Sequence, residues 1–179
     1  MEWEIKIHNV VASLNIQNKI PLVRIANNLE GVEYEPDQFP GLVLRIDDPK
    51  SAALMFSNGK IISTGTKSVK QANDAISRLL EIFDELSIPY NNTKYNIDNV
   101  VASTHVGKEL NLTKIAWAME ESEYEPDQFP GLVYRQHDTG VVFLLFRTGK
   151  IVCTGAKSEE QIYESFKKLY TKLKEIGEI

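Results

Sequence analysis

Cysteine and histidine are scarce in this chain of 179 residues. Cys153 is the only cysteine, so an internal disulfide and a cysteine-based metal cluster are excluded. The three histidines, His8, His105 and His137, lie far apart and show no spacing typical of metal ligands. We therefore expect neither a metal ion nor any other cofactor.

Long hydrophobic runs are also absent. The densest run, Val141 to Phe146, is far too short to span a bilayer. The first residues, MEWEIKI, have neither the basic start nor the apolar core of a signal peptide, which predicts that the chain stays where it is made. No phosphate-binding glycine-rich loop is present, and Thr-Gly-x-Lys-Ser lacks the spacing of a P-loop. We do not expect an enzyme.

The sequence is a tandem duplication. Shifted by 90 residues, the chain aligns with itself without a gap, and 35 of the 79 positions from Ile7 to Glu85 match their partners. Two copies are too few for a solenoid, which needs at least three repeats. They favour one pseudo-twofold domain, arranged like a covalently joined dimer. The predicted repeats are residues 1–89 and 90–179.

One stretch of each repeat is almost unchanged in the other. Residues 33–45 read EYEPDQFPGLVLR, and residues 123–135 read EYEPDQFPGLVYR. Pro-Asp predicts a turn, and Phe39 or Phe129 follows closely. Because a ring beside a surface turn is poorly solvated, each Phe either folds back over the edge of a core or projects as a wedge. Its repetition at symmetric ends favours a pair of wedges that grip a ligand.

Each repeat predicts five strands and two helices. The opening strands, residues 5–16 and 95–106, alternate between two faces, and Asn9, Val11 and Ser13 share one of them. A short helix, a hairpin at Asn58-Gly59 and a closing helix behind the capping box Ser68-x-x-Gln71 follow, with copies in the second repeat. The predicted fold is α+β, with about ten antiparallel strands and helices on only one face of the sheet.

The face without helices is expected to be apolar as well. Cys153 is assigned to the helix-covered side, as an ordinary core thiol. The other side carries the following apolar residues and their copies: Val11, Leu54, Phe56 and Ile62, with Val101, Leu144, Phe146 and Val152. An exposed patch of this kind indicates a binding site.

The polar groups predicted on this face are uncharged: Asn9, Asn99, Ser13, Ser103, Thr64 and Thr154. The DNA minor groove offers acceptors at A·T pairs but adds an amino donor at G·C pairs, so an apolar face with a few donors fits A·T-rich DNA.

The net charge of −5 argues against a nucleic-acid ligand if it is taken as a sum. Cations nevertheless surround the predicted face: Arg45, Lys60, Lys67, Arg135, Arg147, Lys150 and Lys157. The acids concentrate in the turns and on the closing helices. The local charge of the binding face therefore matters more than the net charge of the whole chain.

The residues alone leave three functions open. The first is a sequence-specific DNA-bending factor. The second is a pseudo-dimeric module whose apolar sheet docks on a protein partner. The third is an enzyme or carrier that holds a small hydrophobic ligand on the open face. The duplicated Phe residues and the central Asn residues favour the first, whereas a single deep pocket would favour the third.

Three duplicated motifs carry a resemblance that covers residues 5–175: NVVAS, YEPDQFPGLV(L/Y)R and GK-I-x-x-TG-x-KS. With them, the chain resembles the TATA-binding protein family of general transcription factors. The near-symmetric halves and the acidic balance are similar to archaeal members. The resemblance implies a saddle-shaped sheet with its helices on the convex face, minor-groove binding at the TATA element and a cytoplasmic protein associated with the nucleoid.

The resemblance also implies a role for individual residues. Phe39 and Phe56 would wedge one end of the TATA element, and Phe129 and Phe146 the other. Minor-groove contacts are implied for Asn9, Val11, Leu54, Ile62, Thr64, Asn99, Val101, Leu144, Val152 and Thr154. Phosphate contacts are implied for Arg45, Lys60, Arg135 and Lys150. Contacts with transcription factor B, and through it with RNA polymerase, are implied for Glu125, Asp127 and Gln128. Without DNA, the open face could pair weakly with a second copy.

Overall fold

The computed structural model describes every residue from Met1 to Ile179 and contains ten strands and four helices. Its contacts divide the chain into two compact units. The N-terminal unit comprises Asn9–Asp98, and the C-terminal unit comprises Met1–His8 together with Asn99–Ile179. All strand pairs described within each unit are antiparallel, which confirms the predicted α+β class and the number of strands. The limits of the sequence repeats, 1–89 and 90–179, stay a prediction.

The first repeat supplies five strands and two helices. They are β1 (Lys6–Asn15), α1 (Leu22–Asn28), β2 (Val32–Glu33), β3 (Leu42–Asp47), β4 (Lys50–Met55), β5 (Lys60–Thr66) and α2 (Val69–Glu85). β1 enters the N-terminal unit at Asn9. The strand order is β2-β3-β4-β5-β1, so the hairpin at Asn58-Gly59 joins neighbours, as predicted.

The second repeat has the same elements in the same order. They are β6 (Tyr95–His105), α3 (Leu112–Ala118), β7 (Ser122–Glu123), β8 (Leu132–Gln136), β9 (Val141–Leu145), β10 (Lys150–Ala156) and α4 (Glu159–Glu175). β6 enters the C-terminal unit at Asn99, and the strand order there is β6-β10-β9-β8-β7. The opening strands are one or two residues shorter than predicted.

The helices of each unit cover one face of its strands. In the N-terminal unit, Leu14, Met55 and Ile61 pack in one buried cluster with residues of α1 and α2. In the C-terminal unit, the ring of Phe143 meets the ring of Phe166 edge-on, with centroids 5.1 Å apart. Buried strand positions alternate with more accessible ones, because successive side chains point to opposite faces of a strand.

Both closing helices begin with the predicted capping box. The Oγ of Ser68 accepts a hydrogen bond from the backbone N–H of Gln71 at 3.0 Å. The returning bond differs from the simplest form of the motif, because Gln71 Oε1 accepts from Lys67 N–H rather than from that of Ser68. Ser158 and Gln161 repeat this arrangement. Each box satisfies backbone donors that the first helical turn leaves free.

Cys153 lies in the core, as predicted. Its side chain is fully buried, and desolvation by burial raises the pKa of the thiol to about 12. At neutral pH the buried thiol therefore keeps its proton, as expected for an ordinary core cysteine. None of the helices has the length and apolar character needed to cross a membrane, and no three side chains of the metal-binding types are grouped together.

Candidate nucleic-acid interface

In each unit, the face of the strands that carries no helix is half-buried and largely apolar. On β5, Ile61 and Ser63 are buried, whereas Ile62 and Thr64 remain partly accessible. We call this accessible side the open face of each unit. Its apolar members are Val11, Leu54, Phe56 and Ile62 in the N-terminal unit and Val101, Leu144, Phe146 and Val152 in the C-terminal unit. The predicted alternation is therefore present, while contact of these residues with DNA stays a prediction.

Asn9 is held in a fixed orientation on the open face. The backbone N–H of Gly65 donates to Asn9 Oδ1 at 2.7 Å, and Asn9 Nδ2 lies 3.1 Å from Thr64 Oγ1. Since a backbone N–H can only donate, the amide oxygen of Asn9 is identified by its partner. The hydroxyl of Thr64 lies 3.3 Å from Asn9 Oδ1 and donates to it, so one N–H of the amide remains as a donor for a ligand.

A β-bulge makes this arrangement possible. Val10 pairs with Thr66 and Ala12 with Ser63, so Thr64 and Gly65 together stand opposite Val11. Gly65 has a φ of +93°, which glycine adopts without a steric penalty. Its N–H can therefore turn towards Asn9.

The C-terminal unit contains the same group. Gly155 N–H donates to Asn99 Oδ1 at 2.7 Å, and Asn99 Nδ2 lies 3.3 Å from Thr154 Oγ1. The bulge recurs, because Cys153 pairs with Ala102 whereas Ala156 pairs with Val100. Each unit thus presents uncharged donors within an apolar surround.

Phe39 and Phe56 form an accessible ring pair in the N-terminal unit. Their centroids lie 5.9 Å apart at an interplanar angle of 75°, and the side chain of Phe39 is 43% exposed. Gly41 lies against both rings: a Cβ there would be 2.7 Å from Cε1 of Phe39 and 3.0 Å from Cε1 of Phe56. A larger residue at this position would therefore displace the two rings.

Phe129 and Phe146 repeat the pair in the C-terminal unit. Their centroids are 6.0 Å apart, and Phe129 is 40% exposed. A Cβ at Gly131 would meet Cε1 of Phe129 at 2.8 Å. Phe39 and Phe129 are thus not buried in a core, while their role as wedges stays a prediction.

The cations expected to contact phosphates all lie at the surface. Arg45 is 3.4 Å from the carboxylate of Glu33, and both side chains are about two-thirds exposed, at 63% and 67%. An ion pair this exposed is weak and can be exchanged for a phosphate. Lys60, Arg135 and Lys150 are exposed and make no ion pair.

The second turn presents its acidic side chains to solvent. The backbone oxygen of Glu125 accepts from the N–H groups of Gln128 and Phe129, at 2.9 and 3.0 Å. The side chains of Glu125, Asp127 and Gln128 are exposed. The first turn has the same backbone bonds around Glu35.

Ser103 differs from the expectation that it would be an accessible donor. It is 9% exposed, and its Oγ lies 2.5 Å from Nε2 of His8. Its counterpart Ser13 is half-buried. Because a hydroxyl already bonded in a buried position has little to offer a ligand, Ser103 is removed from the set of donors.

Four glycines that shape the candidate site were not predicted: Gly41, Gly65, Gly131 and Gly155. The sequence contained a signal, since each glycine recurs in both repeats. A repeated glycine does not by itself tell which atoms approach it.

A duplicated α+β fold that presents uncharged donors, apolar side chains and Phe pairs on an open sheet face is typical of a protein that binds a large ligand rather than a small one. The sequence profile of the family described as Transcription factor TFIID (or TATA-binding protein, TBP) matches residues 4–86 and 94–176. The chain belongs to this family.

Full-length relatives and a solved structure support this assignment. The TATA-box-binding protein of Methanocaldococcus jannaschii is 47% identical over 180 residues, which cover 100% of this chain and 98% of the relative. That of Methanococcus maripaludis is 48% identical over 179 residues, covering 99% and 98%. The solved structure of Methanococcus jannaschii TBP covers 96% of this chain and 99% of its own, with a TM-score of 0.84 and 47% identity. The chain is an archaeal-type member.

Proposed function

We propose that this chain is a transcription factor that binds the TATA element in the DNA minor groove. The observation that carries the proposal is the Asn–Gly–Thr group, present once in each unit. Its free donors fit the acceptors that A·T pairs display in the minor groove, whereas the amino group of a G·C pair would meet an N–H or an apolar side chain.

The Phe pairs would kink the bound DNA. The accessible ring pairs would enter base steps, and unstacking a step costs a few kcal/mol that the inserted rings would offset. Arg45, Lys60, Arg135 and Lys150 would neutralise phosphates, each releasing counterions from the DNA.

The chain would recruit transcription factor B through Glu125, Asp127 and Gln128, and RNA polymerase through that factor. Among the residues expected in the groove, only Ile62 and Val152 differ between the repeats. One methylene is worth about 0.8 kcal/mol when fully buried, which is less than a tenfold preference for one orientation. The partner must therefore set the direction of transcription.

A gel-shift assay with an A·T-rich octamer and a G·C-rich control of equal length tests the function. A stable complex is expected only with the A·T-rich DNA. Equal affinity for both duplexes at the same salt concentration would show that the open face does not read base pairs.

A further inference from the structure

Trp117 is the most exposed of the large hydrophobic side chains, at 86%. It lies on α3, which buries Leu112 and Ile115 and is followed by the buried Met119. The helix thus packs its other large apolar residues into the core and leaves the indole in solvent. Large aromatic rings that contribute nothing to a core are typical anchors of protein–protein interfaces.

The surroundings of Trp117 break the duplication. Its counterpart in the first repeat is Asn27, and the counterpart of the nearby Glu121 is Gly31. Gly31 has a φ of +72°, where a glutamate would be strained. These differences would allow a partner to distinguish the second turn from the nearly identical first turn.

An acidic segment follows the tryptophan. Its carboxylates are exposed and take part in no ion pair: Glu120, Glu121, Glu123, Glu125 and Asp127. In the first repeat, by contrast, Glu33 forms an exposed ion pair with Arg45. The segment from residue 117 to residue 127 therefore combines one apolar anchor with exposed carboxylates, of which Glu121 also interacts electrostatically with Lys172.

We infer that Trp117 and this acidic segment form one docking surface for a cationic protein surface that carries an apolar pocket. The inference rests on the proposed function, in which transcription factor B docks at the second turn, and adds Trp117 as the residue that selects this turn over the first. A second copy of the chain is disfavoured as the occupant, because it would bring two acidic segments together. DNA is also disfavoured as the occupant, because its phosphates would be repelled by the acidic segment.

Fluorine NMR of the protein labelled with 5-fluorotryptophan tests the inference. The chain contains two tryptophans, so two signals are expected. Trp3 packs against Phe166 and Tyr170, with centroids 6.4 and 5.0 Å away, and serves as an internal control. The fluorine signal that is missing from the spectrum of the Trp117→Asn variant is assigned to Trp117. On addition of A·T-rich DNA and unlabelled transcription factor B, this signal should shift and lose its sensitivity to D2O, while that of Trp3 should not.

The matching affinity measurement uses Trp117→Asn, which places the first repeat's residue at this position. Loss of a central aromatic anchor should raise the Kd for transcription factor B on the protein–DNA complex roughly thirtyfold. Binding to DNA alone should stay within about twofold, since α3 carries no residue expected in the groove. Tyr163→Asn, at a half-exposed ring on α4, should change neither.

The outcomes separate the two proposals. If the wild-type protein forms no complex with transcription factor B, the proposed function fails at its partner. If the complex forms, but Trp117→Asn binds equally well and the Trp117 signal does not move, this inference is overturned while the proposed function stands. A Trp117 signal that shifts with protein concentration alone would identify a second copy as the occupant and would also overturn it.

Discussion

The backbone N–H of Gly65 donates to the side-chain oxygen of Asn9 at 2.7 Å. This bond determines what the open face can offer to DNA. By engaging the oxygen, it leaves the NH2 group of Asn9 as the part of the amide available to a ligand, and Asn99 is held in the same way by Gly155. A residue that could otherwise accept or donate thereby becomes a donor.

Asn9→Asp should weaken DNA binding without destabilising the fold. A carboxylate can still accept from Gly65 N–H, so the melting temperature should change little. The lost donor and the new negative charge should raise the Kd for A·T-rich DNA at least tenfold, as expected for removal of a base contact. A gel shift measures the change. Asn27→Asp adds the same charge on α1, and an equal loss in this control would assign the effect to net charge.

Phe39→Ala combined with Phe56→Ala should abolish bending at little cost in stability. Phe39 is exposed and Phe56 is partly accessible, so the predicted wedge rather than the fold should depend on them. Fluorescence energy transfer across the bound DNA measures the bend, and thermal unfolding measures stability. A loss of about 3–5 kcal/mol in the free energy of unfolding, as for a core Phe, would show that the rings are structural.

Gly41→Ala should weaken DNA bending only because it displaces the rings of Phe39 and Phe56. The added Cβ would lie 2.7 Å from the Phe39 ring, so the ring pair must open. The backbone of Gly41 is not in the left-handed region, so alanine itself is tolerated. The same change in a Phe39→Ala background should have much less effect on the transfer efficiency. Equal effects in both backgrounds would mean that the substitution acts elsewhere.

Reversing the charge of the two turns should give different results. Glu125→Arg with Asp127→Arg should keep DNA binding but lose the complex with transcription factor B, because the partner's attraction to the acidic segment becomes repulsion. The same changes at Glu35 and Asp37 should lose neither. A supershift assay on A·T-rich DNA reports both properties. Loss of the complex from either pair would mean that the partner does not distinguish the turns.

Much of the fold could be predicted because alternation along strands is a local property. It assigned Val11 and Ile62 to the accessible side and Cys153 to the core without any knowledge of tertiary structure. Because of the duplication, each residue assigned to a face predicted the same face for its counterpart in the other repeat.

The missing parts of the site depend on contacts between residues distant in the sequence. Gly65 meets Asn9 through a bulge, and Gly41 matters because two rings lie against it. The buried state of Ser103 depends on His8, 95 residues away. Trp117 was missed for another reason: a comparison of repeats reveals shared residues, and the counterpart of Trp117 is Asn27.

The most direct test of the account replaces the A·T pairs of the octamer with inosine·C pairs. Inosine·C presents the major groove of a G·C pair but lacks the amino group in the minor groove. If donors on the open face read the minor groove, the Kd for the inosine·C octamer should stay within about threefold of the A·T value, and the G·C octamer should bind at least tenfold more weakly. Equally weak binding of inosine·C and G·C DNA would contradict minor-groove recognition.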